Sequence, residues 1–136
     1  MIKLTPSTLD DIPQITDWMA ADEYLQNQGD PTWWLTGTPC LLAFYGQDDI
    51  GPVFYVKLVE MDGYARMYTV FGPANEVAPK RIAKAILAIV PQLSLVMKDL
   101  NCKGITFETK STSLGVFMEK NLNFVLDKDG TYVLEF

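Results

Sequence analysis

Three runs of apolar and β-branched residues follow one another between positions 40 and 72 and lead into a long amphipathic segment. The runs read CLLAFYG (40–46), GPVFYVKLVEM (51–61) and YARMYTVFG (64–72), and turn residues separate them. β-branched and aromatic residues favour strands, and an Asp-Gly pair between two strands favours a tight hairpin. The pattern therefore predicts an antiparallel three-stranded meander.

The segment that follows the meander begins with NEVAPKRIAKAIL (75–87) and predicts a long helix. Pro79 suits the first helical position, where its missing N–H has no helical partner to lose. Apolar residues then recur at steps of three and four, namely at Ile82, Ile86, Ile89, Leu93, Val96 or Met97, and Leu100. Pro91 should kink or divide this helix, and Gly104 suits its exit.

The N-terminal part predicts a strand followed by a helix. IKLTP (2–6) alternates as a short strand does, and Ser7 or Thr8 is a candidate N-cap for the helix in LDDIPQITDWMA (9–20). Its apolar residues at helical spacing are Ile12, Ile15, Trp18 and Met19. Residues 21–38 are mixed in composition. They predict a short second helix and then a loop that contains two tryptophans.

The C-terminal part predicts a strand, a helix and a final pair of strands. The segments are ITFETK (105–110), STSLGVFMEKNLN (111–123) with Ser111 or Thr112 as its cap, and FVLDKDGTYVLEF (124–136) around an Asp129-Gly130 turn. The order of elements along the chain predicts an α/β fold on a mixed sheet, in a single domain without repeats.

The charge of the chain argues against polyanionic partners. The net charge is −6 and the pI is about 4.5, so we expect neither nucleic acid nor an anionic membrane surface as a partner. An acidic balance fits a cationic or amine substrate, although most acidic domains are merely soluble. The N-terminus lacks an apolar stretch long enough for a signal peptide, and we expect a soluble cytoplasmic protein.

The chain has no histidine, which removes several mechanisms. Ser-His-Asp and Cys-His relays and His-based zinc sites are excluded, so proton transfer must use carboxylates, Tyr, Lys, Cys or water. Cys40 and Cys102 lack metal-type spacing, and we expect reduced packing residues and no metal.

Three cations lie at the predicted start of the long helix, where the helix dipole disfavours them. Each of Lys80, Arg81 and Lys84 there costs about 0.3–1 kcal/mol. In one interpretation they are solvated surface residues, with Glu76 offsetting part of the charge. In the other, an anion that binds at the helix start relieves their repulsion.

From about residue 40 to residue 136 the chain resembles the GNAT (Gcn5-related N-acetyltransferase) superfamily. The order of elements carries the resemblance, together with NCKGITFETKSTSLGVFMEKNLNF (101–124). This stretch is similar to a family pattern N-x-x-A-x-x-x-Y-x-K-x-G-F, and its tail is kept at Glu119, Lys120, Leu122 and Phe124. Asn123 replaces the glycine that precedes the family's final Phe. The resemblance implies a mixed, mostly antiparallel sheet flanked by helices, with acetyl-CoA or another acyl-CoA in a V-shaped gap between two central strands.

The resemblance also implies where the cofactor binds. The family's pyrophosphate loop, Q/R-x-x-G-x-G/A, matches APKRIA, so Ala78, Arg81 and Ala83 take its three positions and one of the three is kept. Lys80, Arg81 and Lys84 would then supply cationic contacts in place of glycine N–H groups. Val70 on the third meander strand belongs to the same expected set. Ser111 also belongs to it, where the family usually has an Asn.

The acyl transfer that the resemblance implies needs a base, an acid and an acceptor pocket. Glu60 and Glu108 are the candidate carboxylates, as base or orienting group, and Tyr68 is the candidate acid. Met118 stands about where the family often has a Tyr that serves as general acid. Trp33 and Trp34 occupy the region that shapes the acceptor pocket. If their segment is extended, adjacent residues face opposite sides, so one should be buried and the other exposed.

Three functions follow from these patterns. The first is an N-acetyltransferase that uses acetyl-CoA and a small-molecule or protein amine as acceptor, as a monomer or homodimer. The second is a GNAT-like fold without catalysis that acts in binding or structure, for example as a bacteriophage component, which the altered loop, Ser111 and Met118 favour. The third is an α/β ligand-binding domain outside this superfamily.

Overall fold

The computed structural model describes residues 2–23, 25, 29–35 and 40–136, with only the backbone of Cys40. The described residues form seven strands: β1 (Lys3–Pro6), β2 (Cys40–Gln47), β3 (Pro52–Met61), β4 (Tyr64–Phe71), β5 (Gly104–Phe107), β6 (Val125–Leu126) and β7 (Tyr132–Glu135). They also form helices α1 (Ile12–Ala21), α2 (Pro79–Asp99) and α3 (Thr112–Leu122), and 3-10 helices Leu9–Asp11 and Pro31–Trp34.

The strands form one mixed sheet in the order β1-β2-β3-β4-β5-β7-β6. Among the described strands β4 and β5 run parallel, and the other neighbours are antiparallel. The predicted meander is confirmed as β2, β3 and β4. Asp62 and Gly63 connect β3 to β4 with φ values of 56° and 88°, the left-handed backbone that a two-residue hairpin turn needs.

Helices cover both faces of the sheet. On the face that we name the α1 face, Trp18 of α1 packs edge-on against Tyr55 of β3 at a ring distance of 5.4 Å. On the opposite face, the α2 face, Gly46 of β2 leaves room for Ile89 of α2, because a Cβ there would lie 2.5 Å from its Cδ1 atom. Since side chains alternate along a strand, these contacts fix which residues of the sheet lie on each face.

The start of the first helix follows its sequence closely. Thr8 caps the 3-10 turn Leu9–Asp11 through its side chain, and the Asp11 carboxylate accepts a hydrogen bond from the Thr8 N–H at 2.8 Å. The predicted apolar stripe of α1 is buried at Ile15, Trp18 and Met19.

Of the two alternatives for Pro91, a kink or a division of the helix, the division was wrong, and the expected helix exit at Gly104 was also wrong. Pro91 does not divide α2, which continues from Pro79 to Asp99 as one element; Pro91 lies on its exposed side. Gly104 does not form the helix exit. Asn101 adopts the left-handed backbone there, with φ 65°, whereas Gly104 begins β5 in a space where a Cβ would meet the Leu134 carbonyl oxygen.

The tryptophan segment is helical rather than extended. Pro31–Trp34 is a 3-10 helix that Asp30 caps, and its C-terminal tryptophan is buried while Trp33 is 40% exposed. The expectation of one buried and one exposed tryptophan is therefore confirmed, although the extended backbone on which it rested was wrong. The rest of the predicted second helix and loop lies partly outside the described residues, at 24, 26–28 and 36–39.

Within the part of the chain that the structure describes, no helix has both the length and the hydropathy that crossing a bilayer requires.

Candidate active site

The sheet opens between β4 and β5. Their ladder contains only the pairs Ala65–Ile105 and Arg66–Thr106, although β4 continues to Phe71. Beyond Arg66, β4 therefore has an edge that β5 does not cover. The gap that this leaves lies in the middle of the sheet, as the family resemblance implied.

The backbone of β4 presents alternate residues to this gap. The Gly72 N–H donates to the Val53 carbonyl at 3.0 Å, so residues 72 and 53 form a hydrogen-bonded pair between β4 and β3. In an antiparallel ladder every second pair is hydrogen-bonded, so the pair Val70–Tyr55 is the next one toward the start of β4. Val70 belongs to the bonded set and is fully buried. The polar backbone groups of Met67, Thr69 and Phe71 consequently point toward the gap, whereas those of Val70 point away from it.

A cavity of about 1190 Å³ lies at the gap, and we name it the central cavity. Its walls come from the end of α1, the tryptophan helix, β4, the first turns of α2 and α3, the end of β5 and the β6–β7 turn. The sequence candidates that line it are Trp33, Trp34, Tyr68, Ala83, Glu108 and Ser111. The candidates that lie outside its lining are Glu60, Val70, Ala78, Lys80, Arg81 and Lys84.

The start of α2 offers few free backbone donors. Pro79, the first helical residue, has no N–H. The Arg81 N–H donates to the Ala78 carbonyl at 2.9 Å. Lys80 and Lys84 are exposed, so their ammonium groups reach solvent beside this helix start.

Arg81 is held by the turn between β2 and β3. Its Nε and Nη2 atoms donate to the Asp48 carboxylate at 2.7 and 2.8 Å, a bidentate pair in which both side chains are less than one fifth exposed. The guanidinium holds the pKa of the Asp48 carboxyl well below its usual value, and the carboxylate raises the pKa of Arg81. Arg81 thus joins α2 to the β2–β3 turn rather than facing the central cavity.

Glu60 also has a structural partner away from the cavity. Its carboxylate accepts a hydrogen bond from the Gly63 N–H at 3.0 Å and so closes the β3–β4 hairpin. The side chain is exposed at that end of the sheet.

An aromatic wall forms the α1 face of the central cavity. The Trp33 ring contacts Trp34 and Tyr68 edge-on, at ring distances of 5.2 and 5.0 Å. Lys57, which is buried and lies opposite Tyr68 on β3, donates to the Trp33 carbonyl at 2.7 Å. Its Nζ atom also lies 3.8 Å from the centre of the Trp33 ring. The lysine fastens the tryptophan helix to the sheet.

An ion pair spans the point where the strands separate. Arg66 of β4 lies 2.8 Å from the carboxylate of Glu108, measured from Nη2 to Oε2, and its Cζ atom lies 5.8 Å from the Tyr68 ring. Glu108 also accepts a hydrogen bond from the Thr131 hydroxyl at 3.3 Å. The sequence reasoning missed Arg66. Its position two residues before Tyr68 on the same strand would have placed both side chains on one face.

Helix α3 has a capping serine at its start and a buried methionine in its second turn. Ser111 accepts a hydrogen bond from the Leu114 N–H at 3.2 Å and lies 3.1 Å from the Ser113 hydroxyl. Met118 is 1% exposed and packs in the core. No polar side chain therefore enters the cavity from the position where the resemblance implied a tyrosine that acts as general acid.

Three further observations concern acidic, metal-binding and thiol groups, and only the first of them lies in the cavity. Asp30 lines the cavity, and the Thr32 N–H, at 2.9 Å, lowers the pKa of its carboxyl. Among the described residues no group of three or more Cys, Asp or Glu side chains is arranged to hold a metal ion. Cys102 is a free thiol whose pKa is raised by burial.

Comparison with known proteins finds similarity in structure alone. No protein-family model matches the chain, and no curated protein matches it. The ribosomal-protein-S18-alanine N-acetyltransferase from Escherichia coli is 11% identical with a TM-score of 0.67, over 98% of this chain and 91% of that one. A GNAT family acetyltransferase from Brucella melitensis in complex with acetyl-CoA is 11% identical with a TM-score of 0.63, over 100% and 88%.

A third solved structure has a bound acceptor. The aminoglycoside acetyltransferase AAC(6')-Ib in complex with coenzyme A and kanamycin is 14% identical with a TM-score of 0.67, over 98% of this chain and 92% of that one. These matches extend over nearly the whole chain at very low identity. The chain therefore has the GNAT fold, and the expected fold class is confirmed.

Proposed function

We propose that the chain is an N-acetyltransferase that transfers the acetyl group of acetyl-CoA to an amine. The observation that carries the proposal is the gap between β4 and β5, which opens into a cavity of about 1190 Å³. Single small-molecule sites usually measure about 300–1,000 Å³, so this volume has room for a donor and an acceptor together. Solved proteins of the same fold bind acetyl-CoA, or coenzyme A together with kanamycin.

The residues present fit an acyl-CoA in part. The free edge of β4 offers backbone groups at Met67, Thr69 and Phe71 to a chain that lies along the gap. Ala83 and Ser111 line the cavity near the two helix starts, where the phosphate-bearing half would approach Lys80 and Lys84. The thioester supplies an activated acetyl group: the amine nitrogen forms the new bond to carbon, the C–S bond breaks, and the sulfur takes up one proton.

Two side chains in the cavity can move the protons of this reaction. Glu108 lies at the mouth of the gap with its carboxylate 55% exposed, where it can take a proton from an ammonium group and leave a nucleophilic amine. Tyr68 lies on β4 beside the gap and is the candidate donor to the leaving sulfur. Trp33 forms the wall against which an acceptor would pack.

Calorimetric titration of acetyl-CoA tests the proposal most directly. We expect micromolar binding to the unaltered chain and a loss of at least about 100-fold for Ala83→Trp, because the indole would fill the cavity beside the gap; this corresponds to about 2.7 kcal/mol. Leu95→Trp places the same side chain on the exposed side of α2 and serves as the control. Absence of binding at millimolar acetyl-CoA would refute the proposal.

A catalytically inactive protein with a GNAT fold is the second candidate. The burial of Met118 and the pairing of Arg81 with Asp48 favour it, because both positions lack the free polar groups that the resemblance implied. This candidate predicts that acetyl-CoA is not consumed with any amine. Release of free thiol in a panel of amines distinguishes the two candidates.

A further inference from the structure

Arg66 is one of the two cationic side chains that the described residues contribute to the lining of the central cavity. Its side chain is 17% exposed, so most of it is removed from solvent. Within the described residues its partners are Glu108 and the ring of Tyr68. A guanidinium has five N–H donors in a rigid fork. Most of these donors therefore remain available to a ligand in the cavity.

The pair that Arg66 forms with Glu108 presents opposite charges side by side, 2.8 Å apart. This arrangement is complementary to a molecule that has an ammonium and a carboxylate equally close together. In an α-amino acid the nitrogen lies about 2.5 Å from the carboxylate carbon, by standard backbone dimensions. Such a ligand can donate from nitrogen to Glu108 while its carboxylate accepts two hydrogen bonds from Arg66.

The surroundings of the pair favour an apolar side chain on this ligand. Trp33, Tyr68 and Met19 line the cavity on the α1 face, and the Trp33 and Tyr68 rings form a continuous wall. A polyamine fits less well, because one of its ammonium groups would lie beside the Arg66 guanidinium. Three other acidic residues line the cavity, namely Asp22, Asp30 and Asp129. Their carboxylates favour the ammonium group of a ligand, but they cannot bind its carboxylate.

We infer that the acceptor is an α-amino acid with an apolar side chain, bound by its carboxylate to Arg66 and by its amine to Glu108. The inference rests on the proposed function. Glu108 takes one ammonium proton, and the neutral nitrogen forms the amide bond as the C–S bond breaks. The nitrogen loses its second proton in this step, and the departing sulfur takes up one proton to become the thiol. The N-acetyl product has lost its positive charge and with it the attraction to Glu108, which favours release.

The test compares acceptors that differ only in the carboxylate. L-Phenylalanine, L-phenylalaninamide and 2-phenylethylamine are assayed for acetyl transfer, together with the other standard amino acids. We expect kcat/KM for the preferred amino acid to exceed that of its decarboxylated amine by about 10- to 100-fold, the range for hydrogen bonds to a charged group. In Arg66→Met this preference should disappear, with KM rising for the amino acid and not for the amine. Lys120→Met, which removes one exposed positive charge from α3, is the matched control.

Several outcomes would overturn the inference. The first is that the unaltered chain acetylates the decarboxylated amine as fast as the amino acid or faster. The second is that it acetylates amines and no amino acid. Both outcomes are measured on the unaltered chain, so they do not depend on whether Arg66→Met folds. A preference that survives in both Arg66→Met and Arg66→Lys would exclude the role of this residue. If acetyl-CoA does not bind, the proposed function fails and the acceptor role fails with it. Calorimetric titration with free amino acids then tests the Arg66–Glu108 site alone: binding that Arg66→Met loses supports an amino-acid site there, and absence of binding refutes it.

Discussion

The start of α2 and the gap between β4 and β5 are the two places where a GNAT fold would hold acyl-CoA, and they differ in how much they retain. The gap is open and its β4 edge is free beyond Arg66. At the helix start, Pro79 has no N–H and Arg81 is bonded to Asp48. The gap is open, as the resemblance implied. The helix start has few free backbone N–H groups, and exposed lysines lie beside it.

The difference follows from what each feature demands of the sequence. The gap is made by strand pairing that stops after two residues, and many side chains are compatible with such backbone geometry. A phosphate loop needs glycines and free N–H groups at fixed positions, so single substitutions remove it. Donor binding in this chain should accordingly depend more on the gap and less on the helix start.

Glu108→Gln should have the largest effect on the reaction. Loss of a general base lowers kcat by about 100- to 1,000-fold, whereas binding of acetyl-CoA should change little. Single-turnover kinetics with saturating acceptor measure the chemical step. Glu60→Gln tests the other sequence candidate, and because Glu60 closes the hairpin away from the cavity, its effect should be much smaller.

Glu119→Gln, on the exposed side of α3, is the control for removing one carboxylate. A larger loss in Glu60→Gln than in Glu108→Gln would assign the base to the hairpin and would contradict the site described above.

Replacing both lysines at the helix start, Lys80→Ala with Lys84→Ala, should have an intermediate effect. Exposed charge contacts contribute about 0.2–1 kcal/mol each, so the Kd for acetyl-CoA should rise by about 2- to 30-fold. The loss should shrink at high salt, because exposed charges are screened. Calorimetry at two ionic strengths measures both effects.

The lysine pair has a matched control in Lys98→Ala with Lys120→Ala, which removes the same charge from the end of α2 and from α3. Equal weakening in the two double variants would show that net charge, and not the position at the helix start, is responsible. A loss of affinity as large as that of Ala83→Trp would show that the helix start contributes as much to acetyl-CoA binding as the gap does.

Asp48→Asn should have the smallest effect on function and act mainly on stability. It removes two hydrogen bonds between charged groups and should lower the free energy of unfolding by about 1–2 kcal/mol at pH 7. Because the pKa of Asp48 is lower in the folded chain, its stabilisation is complete above about pH 4–5 and is lost as the pH falls through the folded pKa. The difference between the two proteins in urea denaturation should therefore shrink toward pH 2.

A double-mutant cycle with Arg81→Met isolates the pair, and Asp17→Asn on the exposed side of α1 is the control. Acetyl-CoA binding should be unchanged or tighter in Asp48→Asn, since Arg81 is released near the helix start. Weaker binding would instead show that the β2–β3 turn must hold Arg81 for the donor to bind.

The sequence predicts the elements better than it predicts the site. Strand and helix signals are local, so the meander, the start of α2 at Pro79 and the cap at Ser111 are confirmed. The partners of Arg81 and Glu60 depend on which turn lies beside them in three dimensions, and no local pattern reports that. The pairing of Arg66 with Glu108 depends on a parallel strand contact between residues far apart in the chain.

Asn123 illustrates a substitution whose effect is visible only in the backbone. The family pattern has glycine there, and the structure ends α3 at this residue with φ 63°. Asparagine tolerates the left-handed conformation better than most side chains, so the helix end is kept without the glycine.

The two-pair ladder between β4 and β5 also bears on how the molecule unfolds. It is the only strand ladder that the described sheet has between β1–β4 and β5–β7, two parts that are also separate in sequence. Amide exchange in the smaller part should therefore be partly independent of the larger one. A ligand that contacts both edges of the gap would take the place of the missing pairs, and binding would be seen as a more cooperative transition.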